Sequence, residues 1–296
     1  MTGPRHAFVC GLHRSGTSLI TRSLARHQDI SGFANTGAIE DEGQFLQSVM
    51  PLEKEYGGVG RFGFDPRAHL TETSPLNTPG NGKKLLAEWS RHWDMSKPVL
   101  IEKTPSNLLR MRLLAALLPS SSFIIVTRHP VASALATVKW TEGNIFSLLC
   151  HWAHCYRIAR ADAALLPRVL WTSYEAFVAD PRTELDRMLD FLGLARDAQA
   201  LSLNNENGKY FSIWKERYYG DGDRAIAQEP PEHYRSLITR ARERLVRDAR
   251  EKSLPAFRRR GNLRNFHDAL DAAALLESAI AEFGYSFFDF SKTPRS

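Results

Sequence analysis

Cysteine is scarce in this chain of 296 residues: only Cys10, Cys150 and Cys155, with no CxxC pair among them. An odd, scattered set builds no disulfide framework and points to a reducing compartment. No apolar run approaches 18 residues, and the first apolar stretch begins almost at once, without a leader before it. A membrane span and a signal peptide are therefore not expected, and the chain reads as soluble and cytoplasmic. Internal repeats and low-complexity linkers are missing too, so one domain over residues 1–296 is expected, with excursions at 51–82 and 204–232. Acidic residues are outnumbered: the net charge is +6, and many arginines fall in residues 235–264. Such a balance suits an anionic ligand or acidic substrate. No interleaved aromatic and basic repeat and no finger spacing accompanies it, so nucleic acid is not an expected partner.

What is present is organised around residues 7–27, AFVCGLHRSGTSLITRSLARH. Ala7 to Cys10 has the length and composition of a buried strand. Gly11 and Gly16 bracket a turn, and from Thr17 the spacing becomes helical, with Leu19, Ile20, Ser23 and Leu24 on one side. A strand, a glycine-bounded turn and a helix aim backbone N–H groups and a helix N-terminus at an anion. Arg14, Ser15, Gly16, Thr17 and Ser18 would bind a phosphate-like group through side chains and backbone. Gly11 and Gly16 open the Walker A pattern, but Thr17 stands where that pattern has its lysine, and the cation is Arg14 instead. Kinases and GTPases need that lysine at the β- and γ-phosphates. An arginine in mid-turn suits a ligand without a γ-phosphate.

Further along, residues 29–33 read as a second strand, followed by Glu40, Asp41 and Glu42. These acids either open a solvated helix, whose first turn favours acids, or include a general base. Residues 51–82 are rich in Gly and Pro and read as a long loop, and 83–93 as a short amphipathic helix. The strand at 98–101 leads to Lys103, which would point into the crevice at the carboxyl end of a parallel sheet. A helix is expected over 107–118. The clearest strand, Ser122 to Thr127, runs into Arg128 and a helix with Pro130 near its start, which makes a second anion site. Two anion sites at the ends of two parallel strands fit one nucleoside with phosphate at both ends. A nicotinamide cofactor would call instead for GxGxxG, which is absent.

His151 and His154 share a helix face, but no third ligand stands at suitable spacing, so no metal is expected. After a strand at 168–171, Asp180 and Pro181 open a helix that stops at Gly193. Residues 204–232 combine aromatics with Gly220 and Gly222, as in a lid or a packed surface loop. An arginine-rich helix over 233–252 and a terminal helix over 264–283 complete the reading. Alternation of strands and helices implies an α/β fold: a P-loop-type, mostly parallel sheet with helices on both faces.

The turn GLHRSGTS at residues 11–18 resembles the 5′-phosphosulfate loop of the sulfotransferases that use 3′-phosphoadenosine 5′-phosphosulfate (PAPS). It is closest to the PRSGT form of tyrosylprotein and many bacterial enzymes. Three later stretches extend the resemblance over roughly residues 5–195 by order and spacing. KT at 103–104 matches the family lysine near the transferred sulfuryl group. Cytosolic members follow KT with the histidine that serves as base; Pro105 occupies that place here, so base duty passes to Glu42 or Glu40. Arg128 matches the arginine that binds the 3′-phosphate, but the serine expected eight residues later is Ala136, leaving Ser133 or Thr137 to supply the hydroxyl. Tyr174 matches the tyrosine that contacts adenine, and could equally be a core tyrosine. Arg259 and Arg260 resemble the element that closes over the 3′-phosphate.

The resemblance implies a sulfotransferase with PAPS as donor, catalytic Arg14, Lys103, Glu42 and Glu40, and no metal. The acceptor would be a small-molecule, carbohydrate, lipid or peptide hydroxyl, or an amine; a homodimer is left open. The rival readings are a P-loop kinase with a degenerate turn and a non-catalytic nucleotide- or polyanion-binding protein.

Overall fold

The computed structural model describes residues 3–141, 144–197, 203–218 and 275–294. By packing, the chain divides into two compact units. One comprises Met1–Arg128 and His154–Asn204, the other His129–Ala153 and Asn205–Arg295.

The first unit is built on five strands: β1 (Arg5–Cys10), β2 (Ile30–Gly32), β3 (Val99–Lys103), β4 (Ser122–Thr127) and β5 (Val169–Ser173). They lie in the order β2-β3-β1-β4-β5, every neighbouring pair parallel. Parallel strands covered on both faces carry near-continuous apolar runs, as β1, β3 and β4 do. Because side chains alternate, each strand feeds two cores. On one face Ala7, Val9, Ile101, Ile124 and Val126 pack with Ile20 and Leu24 of α1 (Thr17–Leu24), Phe177 of α6 (Tyr174–Ala179) and Leu185, Met188, Leu189 and Leu192 of α7 (Pro181–Leu192). On the other, Phe8 stacks on Phe123 with centroids 5.5 Å apart and meets Trp89 of α2 (Pro79–Trp89) at 6.0 Å. Helices therefore cover both faces, as the alternation of elements predicts.

The order also positions chemistry. β3, β1 and β4 are parallel neighbours, so their carboxyl-terminal continuations emerge at the same end of the sheet. Those continuations are Lys103, the turn at 11–18 and Arg128. The strand order reverses at this central strand, which is where open α/β sheets bind ligands.

Local signals hold where capping chemistry is explicit. Asp180 accepts the Thr183 N–H at 3.1 Å, Pro181 fills the first helical position, and Gly193 ends α7 with φ 65°. Elsewhere boundaries move. α2 starts at Pro79 rather than residue 83, because the Thr78 hydroxyl caps it by accepting the Asn81 N–H. Residues 105–109 form a 3-10 turn before α3 (Met111–Leu117). The expected loop at 51–82 holds 3-10 turns at 53–56, 62–64 and 66–68.

The second unit contains α4 (Pro130–Thr137), α8 (Asn207–Tyr218) and a helix over 275–281; α5 (Ile145–Ala163) begins in this unit and ends in the first. The excursion expected at 204–232 is corrected by α8. Its aromatics are packed: Trp214 is fully buried and stacks on Phe287, while Phe211 lies 4.3 Å from the Phe290 ring. Aromatic density near two glycines looked like a loop, but Phe211 and Trp214 stand three apart, the spacing of one helix face. Residues 219–232, the expected helix at 233–252, and Arg259 and Arg260 lie outside the described residues. Among the described residues no helix is long and apolar enough to cross a membrane.

Candidate active site

The turn after β1 is shaped by what cannot fit in it. A Cβ on Gly11 would stand 2.6 Å from the Val126 carbonyl oxygen and from Ser15 Oγ. Gly16 has φ 98°, and a Cβ there would meet the Tyr174 ring at 2.8 Å. Arg14 takes φ 65°, unusual for a residue with a side chain. Ser15 turns inward and gives both its N–H (3.1 Å) and its hydroxyl (2.6 Å) to the Leu12 carbonyl. Tyr156 ties the turn to the sheet, accepting the Leu12 N–H and donating to the Val126 carbonyl at 2.6 Å. Burial pushes its phenol pKa up, so it remains a neutral donor.

With Ser15 so engaged, three of the four backbone N–H groups of residues 15–18 are left. The N–H groups of Gly16, Thr17 and Ser18 have no acceptor among the described residues, as the first turn of a helix leaves them. Arg14, two residues before Gly16, is exposed.

Arg128 stands at the end of β4 and is buried. Its Nη1 donates to the Arg14 carbonyl at 2.9 Å, and its guanidinium lies 4.0 Å over the Tyr174 ring. The Tyr174 hydroxyl donates to the Asn204 carbonyl at 3.3 Å. The two stretches expected to hold anions are thus joined directly, 114 residues apart in sequence. Tyr174 supports that junction with one face and backs Gly16 with its edge. Ser133 and Thr137 are buried in α4, in the second unit; the Ser133 hydroxyl has no hydrogen-bond partner among the described residues.

The three acids, equivalent in sequence, separate in space. Asp41 accepts the N–H groups of Asn35 and Thr36 and the Thr36 hydroxyl at 2.7 Å; these bonds hold its carboxyl below the usual carboxylate range. It builds the loop. Glu40 is exposed, and among the described residues only its carbonyl is engaged, by Lys103 Nζ at 3.3 Å. Glu42 is buried, with Oε1 3.1 Å from Lys103 Nζ and Oε2 accepting Gln44 Nε2 at 2.7 Å. The acids open 3-10 turns at 39–41 and 43–46 rather than an α-helix, and Glu40 and Asp41 have φ 53° and 50°.

Sequence reasoning missed the residues around this pair. Gln44 also accepts the Glu53 N–H on its side-chain oxygen (3.1 Å) and gives its own N–H to Thr104 Oγ1 (3.1 Å). Glu53 pairs with His13, inside the turn itself, at 3.0 Å. Glu102 is wholly buried and accepts from the Gly43 N–H, the Thr104 hydroxyl and Asn107 Nδ2. Burial raises its pKa to about 7, against the opposing pull of those bonds and of Lys103. One signal was available: a charged residue in an apolar strand, next to Lys103.

A cleft of about 440 Å³, open to solvent, adjoins the pair; Ser18, Thr21 and Arg22 of α1, together with Phe33, Glu40, Asp41 and Lys103, line it. A five-stranded parallel sheet with helices on both faces and a glycine-bounded turn after its central strand define an α/β fold of the sulfotransferase and P-loop kinase kind. The model of the Sulfotransferase family matches residues 6–198, and the chain belongs to that family. Three solved structures illustrate its likeness. The sulfotransferase domain of the olefin synthase from Synechococcus PCC 7002 is 20% identical, aligned over 67% of this chain and 76% of that one, with a TM-score of 0.42. The sulfotransferase from Alicyclobacillus acidocaldarius is 17% identical over 73% and 91% of the two chains, TM-score 0.44. Sulfotransferase STF1 from Mycobacterium tuberculosis H37Rv is 16% identical over 67% and 69%, TM-score 0.43.

Proposed function

We propose that the protein moves the sulfuryl group of PAPS to a hydroxyl or amine acceptor, acting as one domain over residues 1–296. Family membership supports a transferase. The observation that carries the reading further is the Arg128 guanidinium on the Arg14 carbonyl: it brings the turn that resembles the 5′-phosphosulfate loop to the arginine that resembles the 3′-phosphate ligand. The donor set fits such a ligand. Three N–H groups without acceptors among the described residues, exposed Arg14 and two glycines with no room for a side chain suit a phosphate ester end.

In this reading PAPS supplies the sulfuryl group and, as adenosine 3′,5′-bisphosphate, the leaving group. Arg14 and the N–H groups of Gly16, Thr17 and Ser18 hold its 5′ end, with Ser15 shaping the turn. Lys103 meets charge that gathers on the sulfuryl oxygens. Arg128 serves the 3′ end. Glu42 takes the acceptor's proton, and Glu40 lies at the mouth of the cleft. Lys103 exchanges Glu42 for the sulfuryl group, which releases a carboxylate oxygen at the moment a base is needed. Removing one donor of this kind typically costs about 3–4 kcal/mol in the transition state.

Calorimetry with adenosine 3′,5′-bisphosphate and with magnesium ATP tests the donor. Binding of the bisphosphate, followed by transfer of labelled sulfate from PAPS to members of an acceptor panel, is the expected result. Preference for ATP with magnesium-dependent turnover would overturn it in favour of a kinase.

A further inference from the structure

We propose that Glu102 is a positioning residue: from the face of β3 opposite Lys103 it fixes the turn that carries Glu42, and so sets the Glu42–Lys103 pair. Its consequence for turnover rests on the sulfotransferase reading; the clamp itself rests on geometry.

Neighbours on a strand point to opposite faces, so Glu102 and Lys103 cannot pair with each other across β3. The segment 42–44 straddles the strand end instead. Glu42 reaches Lys103 on one side, and the Gly43 N–H donates to Glu102 Oε1 at 2.9 Å on the other. Gly43 is pressed so closely on this carboxylate that an added Cβ would lie 2.5 Å from Oε1. Any residue larger than glycine would push the turn away.

A second tie runs in parallel. The Thr104 hydroxyl donates to Glu102 Oε1 at 2.6 Å and accepts the Gln44 N–H, and Gln44 Nε2 holds the far oxygen of Glu42. Asn107 Nδ2 fixes Oε2 of Glu102. The Trp89 indole N–H, donating to the Gly43 carbonyl at 2.9 Å, closes the turn from the other side. Three donors converge on Glu102, and a glutamine amide would present N–H where one of them needs an acceptor. Burying a carboxylate this completely is costly unless it is hydrogen-bonded, and here every bond it accepts leads back to the 43–44 backbone or to the turn just after β3.

The test reads Lys103 directly. Full-length protein is treated with the N-hydroxysuccinimide ester of acetic acid, and acetylation of Lys103 is followed by peptide mass spectrometry against exposed Lys83 as internal reference. Glu102→Gln is expected to open the pair and raise Lys103 labelling by about tenfold, the equivalent of a modest shift in a local opening equilibrium. Thr104→Val, which cuts only the second tie, is expected to raise it less. Wild-type labelling in a folded Glu102→Gln protein would overturn the proposal. Should that variant not fold, Asn107→Ala, which removes a single donor, takes its place with the same two outcomes. With PAPS and 4-nitrophenol, kcat should fall about tenfold or more while KM for PAPS holds, as for a slight misplacement of a reacting group; a fall in PAPS affinity alone would contradict positioning. Failure of adenosine 3′,5′-bisphosphate to bind wild-type protein would sink the sulfotransferase reading and leave the labelling result standing.

Discussion

The turn at 11–18 and the segment at 40–53 flank the same sheet end, yet they are held by opposite means. The turn is largely self-made: Ser15 folds back on Leu12, and Gly16 takes the left-handed backbone that starts α1. Distant groups, Tyr156 and Arg128, only brace it. Its donors face outward because the first turn of a helix has no acceptors to offer them. In the acidic segment local bonds build the loop, as Asp41 does with Thr36, but the ties that place Glu42 and Gly43 are long-range. Glu42 meets Lys103 across 61 residues and Gly43 meets Glu102 across 59. A donor row can thus be prepared by backbone geometry alone, whereas a carboxylate gains a role only from the partners the fold brings to it.

The contrast breaks most sharply at Glu42. Glu42→Gln should cost about 10²–10⁴-fold in turnover, the usual contribution of a general base, while bisphosphate binding by calorimetry is retained and Glu40→Gln stays near wild type. Full turnover in Glu42→Gln would move the base elsewhere. Next come the cations. Arg128→Ala removes a buried, hydrogen-bonded charge that braces the turn, a change worth about 2–5 kcal/mol in such settings. Arg14→Ala removes an exposed one, about 1.5–3 kcal/mol. Bisphosphate affinity should therefore fall further in Arg128→Ala; the reverse order would mean that the turn needs no brace.

Glu102 gives a pH-dependent test. Its pKa, pushed by burial to about 7, exceeds the ordinary 4.5 of an unfolded glutamate, so the native state keeps a proton that the unfolded chain has released. Its contribution to stability is full below about pH 4.5 and is lost as pH rises to about 7, by on the order of 3 kcal/mol. Subtracting the Glu102→Gln denaturation curves from wild type should show that decline; a flat difference would refute the shift. Lys103 lowers this pKa and Glu42 raises it, and both residues are present in either protein. The smallest effect tests the local half: Gly16→Ala forces a side chain into φ 98° against the Tyr174 ring, and should lower stability by about 1–3 kcal/mol in thermal melts.

Legibility along the chain obeys the same division. Ser122 to Thr127 is a strand in the structure as in the pattern, and α7 runs from Pro181 to Leu192 between the expected Asp180 and Gly193 caps. The strand, turn and helix at 7–24 were legible, but not that Ser15 gives its N–H to the Leu12 carbonyl. α8 was not legible, because Phe211 and Trp214 face residues more than 70 positions later, Phe290 and Phe287. Among the candidate site residues, Arg14, Lys103 and Arg128 could be placed from strand ends alone, and the choice among Glu40, Asp41 and Glu42 could not.

By itself, then, the amino-acid order determined the alternation of strands and helices, the glycine-shaped turn after β1 and the cations at or just past three strand ends. These depend on backbone torsion, side-chain period and capping, all of which act over a few residues. Only the tertiary structure decided which acid faces Lys103, which one builds a loop, and that Arg128 closes on the Arg14 turn. Those outcomes depend on strand order, since β3, β1 and β4 become neighbours only when the sheet assembles.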